Sequence, residues 1–184
     1  RALDAVNPLD RSFSEARAAG VTTVLTGPGS ANPVSGQGVI LKTSGRWVDE
    51  MILSAPACMK FALGENPKSV YNDRKEGPVT RMATAAMIRE VLSKALDYQV
   101  KKQMSEADPD DEGPEYDAKL EALLPVLGRQ VPAHFHAHRA DDIATALRIS
   151  REFGLKPVIV HGTEGHLICE LLEQEQVPVI TGPC

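Results

Sequence analysis

The stretch VPAHFHAHRADDIATALRISREFGLKPVIVHGTEGH, residues 131–166, decides the fold and holds all five histidines of the chain. His134, His136 and His138 alternate, so an extended strand would point all three to one face. His161 follows a second short apolar run, PVIV. Between them Ile143, Ala146, Leu147, Ile149 and Phe153 recur at close to helical spacing, and Gly154 closes the segment. Strand, helix, strand is the simplest reading. In a βαβ unit the two strands run parallel, so histidines near their C-terminal ends converge on the rim where α/β folds place their sites.

Neutral imidazole is a common ligand for zinc and other divalent metals, and ligands from adjacent strands can hold an open coordination sphere. A single histidine in a strand is more often a hydrogen-bonded core or surface residue. A cluster is harder to explain that way. For His134, His138 and His166 a structural role is preferred to ligation, with Asp141, Asp142 or Glu164 as hydrogen-bond partners of His134 and His138. Arg139, Asp141 and Asp142 suit the start of the helix, where carboxylates favour the dipole.

The remaining chain repeats the β/α alternation. SFSEARAA (12–19) reads as a short helix capped by Ser12 or Ser14 and stopped by Gly20, and VTTVLTGPG as a buried strand entering a Gly/Pro loop. VILK (39–42) and MILSAP (51–56) are further apolar runs. In CMKFALGENPK, Lys60 is surrounded by Cys58, Met59, Phe61 and Ala62, so it must snorkel, pair or change its charge state. A loop is expected over Gly64–Lys68. Residues 79–103 carry the longest helical pattern, the acidic SEADPDDEGPEYD reads as a solvated loop, and AKLEALLPVLG (118–128) resumes a helix. EGHLICELLEQEQ reads as a helix and VPVITG as a last strand. This order predicts an α/β fold with a mostly parallel sheet covered by helices.

With 184 residues, 42% of them hydrophobic, the chain can bury a substantial core. A net charge of −5 without a basic stripe argues against nucleic acid as a partner. No apolar run approaches the ~20 residues that cross a bilayer, so no membrane partner is expected. Three widely spaced cysteines, Cys58, Cys169 and Cys184, suit a reducing cytoplasm, with the first two as buried small hydrophobes. The opening RALDAVNPLD and the closing VPVITGPC look cut from a longer polypeptide.

The motifs RALDAVNPLD, AGVTTVLTGPGSANPVSGQG, MKFALGENPK, HAHRADDI and HGTEGH together resemble metal-dependent amidohydrolases of the imidazolonepropionase-related group. The resemblance implies a partial TIM-like (β/α)8 barrel, roughly strands 2 to 7, with residues 1–184 as one barrel domain truncated at both ends. It implies a metal centre fed by an HxH pair on the first barrel strand, a lysine, often carboxylated, on the fourth, histidines on the fifth and sixth, and an aspartate on the eighth. Lys60, His136 and His161 match the middle three. The HxH pair and the aspartate are expected outside this sequence, so the chain by itself is expected to be inactive. The implied activity is hydrolysis of an amide, cyclic amide or related C–N bond, with one or two divalent ions, zinc first. Expected partners are a small-molecule substrate and a possible homo-oligomer. Glu65, Asn66, Lys68, His138 and His166 are candidate substrate contacts. The rival reading is a non-catalytic, barrel-derived binding or regulatory module.

Overall fold

The computed structural model describes residues 1–107 and 112–182. Part of the acidic stretch, 108–111, and Cys184 therefore lie outside the described residues. One six-stranded sheet runs in sequence order: β1 (Thr23–Thr26), β2 (Val34–Lys42), β3 (Ile52–Ala62), β4 (Ala133–Ala137), β5 (Pro157–His161) and β6 (Val179–Ile180). The helices are α1 (Arg11–Ala18), α2 (Val48–Met51), α3 (Glu65–Asp73), α4 (Arg81–Ala107), α5 (Ala118–Glu121), α6 (Leu124–Leu127), α7 (Ala140–Glu152) and α8 (Cys169–Gln174). The sheet curls into half a barrel, the partial TIM-like fold expected from the sequence.

The alternation holds from β3 onward, where β3–β4, β4–β5 and β5–β6 are parallel pairs joined through helices. The first three strands depart from it: β1–β2 and β2–β3 are antiparallel. Their connections are too short for the crossover that a parallel pair requires. β1 is also half-exposed rather than buried, because it lies at the sheet edge. α1 is capped by Asp10, whose carboxylate accepts from Ser12 N at 2.9 Å, and not by Ser12 or Ser14. The expected GENPK loop is instead the first turn of α3, entered through Gly64 at φ 80°. Residues 118–128 split into α5 and α6, with Pro125 in the first turn of α6. Cys58 is buried, but Cys169 is exposed.

The main core lies between the sheet and its helices. Met59 and Phe61 of β3, Ala133, Phe135 and Ala137 of β4, and Ile159 of β5 pack there against Ile88 and Leu92 of α4 and Ile143 and Leu147 of α7. Phe61 and Phe135 stack with centroids 4.9 Å apart. Burying each such ring contributes about 1.5–3 kcal/mol, and a one-residue slip would forfeit both while driving Lys60 and His134 into the apolar layer. Register is thereby fixed. Lys60, His134 and His136 are left on the opposite, concave face of the sheet.

Candidate metal centre

Alternation places Lys60 beside His134 across the β3–β4 pairing, with Ala62 beside His136. His138 stands one residue beyond the end of β4. The same rule would turn His161 away, because it shares the parity of Ile159 and pairs with Ala137, both of which face the helices. His161 escapes through its backbone. Its φ of 74° is in the left-handed region, and Gly162 follows at 60°. The kink brings the His161 ring to 4.8 Å, centroid to centroid, from both His136 and His138. His136 and His138 are 4.7 Å apart. Ligating atoms of His136, His138 and His161 all lie within 4.8 Å of one another, so the three could hold a metal ion.

The chemistry of the group fits one. Both ring nitrogens of His136 are buried and lack a hydrogen-bond partner among the described residues. A neutral imidazole carries one donor and one acceptor, and burying both unpaired is costly unless something else satisfies them. Burial, then the Lys60 charge and then its two histidine neighbours hold the His136 pKa down at about 4, with Glu65 opposing. Burial and Lys60 hold His134 at about 4. The His161 pKa is also lowered, by burial first and then by His138 and Lys60. These rings are neutral at pH 7 and able to ligate.

Lys60 is half-buried, its pKa is lowered by burial, and its Nζ donates to Ser30 Oγ at 2.9 Å. It has paired rather than merely snorkelled. Its register partner on β4 is His134, which puts it on the same face of the sheet as His136. His138 Nδ1 is hydrogen-bonded to Thr163 Oγ1 at 2.7 Å, a contact that orients the ring. The acidic partners considered for the histidines serve elsewhere. Glu164 accepts from Ala140 N at 2.9 Å and so caps α7, Asp141 pairs with Arg139, and Asp142 pairs with Arg81.

Of the other candidate contacts, Glu65 pairs with Arg81 at the start of α3, yet its charge still reaches His136. Asn66 is exposed and Lys68 half-exposed on the same helix. His166 is exposed and stands apart from the three-histidine group, its Nδ1 3.2 Å from Thr163 O. Sequence reasoning missed Ser30 and Thr163, since a lone hydroxyl in a loop carries no periodic signal.

No protein-family profile matches the chain. It is 31% identical to the amidohydrolase tasK of Hapsidospora irregularis, over 95% of this chain and 20% of that protein. A crystal structure of an amidohydrolase from Thermotoga maritima MSB8 superposes with a TM-score of 0.96 at 48% identity, over 99% of this chain and 47% of that one. The chain is homologous to amidohydrolases. It spans a fifth of the curated relative and about half of the solved one. Among the described residues, no helix is long and apolar enough to cross a membrane.

Proposed function

We propose that the chain forms part of a metal-dependent amidohydrolase of the imidazolonepropionase-related group, acting on an amide, cyclic amide or related C–N bond of a small molecule in the cytoplasm. Residues 1–184 are one portion of its barrel. The observation that carries the reading is the buried, unpartnered His136 imidazole converging with His138 and His161. The homologues favour a hydrolase over a binding module.

His136 and His161, with Lys60 once its amine is carboxylated to a carbamate, would hold a divalent ion, zinc being among the metals that imidazole suits. Such an ion, when bound, lowers the pKa of water and polarises a carbonyl oxygen. His138, oriented by Thr163, either joins the ligands or presents a ring nitrogen to the substrate, and Glu65, Asn66, Lys68 and His166 remain the candidate substrate contacts. His134, the register partner of Lys60, stays neutral at pH 7. The HxH pair and the aspartate that the family resemblance implies are supplied by residues outside this sequence, so the 184-residue chain is inactive by itself.

The test is a panel of amides and lactams offered to the full-length protein, with metal content measured in parallel. Hydrolysis abolished by a chelator and restored by zinc is expected. His136→Ala and His161→Ala should each lose metal and turnover together, and His166→Ala should be milder. Chelator-insensitive turnover, or normal turnover without His161, overturns the reading.

A further inference from the structure

His161 reaches the cluster because its backbone is kinked, and the chain just past the next strand lies against its ring. β6 pairs with β5 through Ile159↔Val179 and Val160↔Ile180, and Ile159 N donates to Pro178 O at 3.0 Å. The two strands meet closely at the kink, where a Cβ on Gly162 would lie 3.0 Å from Val179 Cγ1. Two residues past β6 the chain passes over the imidazole. A Cβ on Gly182 would sit 2.8 Å from His161 Nδ1, 3.7 Å from Cε1 and 3.9 Å from Cγ. The first distance is shorter than real Cβ contacts allow, so a side chain at 182 and the present ring position exclude each other.

We propose that Gly182 is a positioning residue for His161: its bare Cα forms the wall against which the turned-in imidazole rests, and any side chain there displaces the ring from His136 and His138. The ring yields rather than the wall. The imidazole turns about two side-chain torsions, whereas the chain leading to 182 is tied down by the β5–β6 ladder. Gly182 itself is outside the left-handed region, so alanine suits its backbone and differs only by the methyl group.

The metal arm of the test rests on the reading proposed above; a second arm does not. In the full-length protein, Gly182→Ala should weaken cobalt(II) binding by about 10–100-fold, the usual cost of disturbing a group that orients a ligand, and alter the visible spectrum of the bound ion. Thr181→Ala, exposed on the same segment, should leave both unchanged. In metal-free protein, Gly182→Ala should shift the His161 imidazole resonances and leave those of His166 in place. Unchanged cobalt affinity with unchanged His161 resonances shows that the wall moves instead, and overturns the proposal. If the unsubstituted protein takes up no cobalt, the metal reading fails, and the imidazole resonances decide the role of Gly182 by themselves.

Discussion

His161 pays for its place in the cluster with backbone strain, and the two smallest substitutions separate strain from ligation. A non-glycine residue at φ 74° costs about 1–2 kcal/mol relative to glycine. His161→Gly and His161→Ala both remove the imidazole, and both should abolish metal uptake. The glycine variant should nevertheless resist urea better than the alanine variant by about 1 kcal/mol, read from their unfolding midpoints in metal-free buffer. Equal midpoints would mean that the kink stores no strain.

The buried histidines set a second expectation at the same scale. His134 and His136 have folded pKa values near 4, below their ordinary 6.5, so the folded state binds fewer protons than the unfolded one between those values. The stability of the metal-free protein should be fully present above pH 6.5 and fall as pH drops toward 4. Each unit of depression corresponds to about 1.4 kcal/mol. Urea unfolding across this range should show the loss, and His134→Gln should make it shallower. A flat profile would place these rings in contact with water.

Among the elements, α3, α4 and α7 are joined at the rim by one guanidinium. Arg81 pairs with Glu65 and, at 3.0 Å, with Asp142, whose side chain is only 4% exposed. Gly64 lies so close that a Cβ would come within 2.8 Å of Asp142 Oδ2. Burial raises the Asp142 pKa and Arg81 opposes it. Arg81→Met should therefore destabilise the protein at pH 7 by about 1–3 kcal/mol, the cost of leaving a buried polar group unpaired. The deficit should shrink on acidification, as the carboxyl takes up a proton. Adding Asp142→Asn to Arg81→Met should recover part of it, and an additive double variant would argue against the pairing.

How far the sequence was legible follows from which signals are periodic. The alternation of His134, His136 and His138 put them on one face, and the apolar spacing of residues 143–153 marked α7, because both patterns repeat with the period of their element. The antiparallel start of the sheet was hidden, since strand direction depends on connection length and not on strand composition. His161 was singled out by its place after the second apolar run and matched to a ligand position by family resemblance, while strict alternation would have turned it to the opposite face. Only its left-handed backbone reconciles the two. Ser30, Thr163 and Gly182 act through contacts distant in sequence, and nothing local announces them.

At the scale of the whole molecule, the curled sheet has two outer strands, β1 and β6, each paired on one side among the described residues. Both show apolar side chains to solvent: Leu25 is 43% exposed, Val179 37% and Ile180 42%. An open edge with apolar residues is a template for pairing with another chain, and natural sheets blunt such edges with lysine or cover them. The solved relative is about twice the length of this match, so more of its own chain is available to cover the corresponding edges. A 184-residue polypeptide should accordingly self-associate, with sedimentation velocity showing larger species as concentration rises. Ile180→Lys together with Leu25→Lys should shift the distribution toward monomer without changing the circular dichroism, because both side chains lie outside the main core. A single monomeric species at every concentration would mean that the edges are already shielded within one chain.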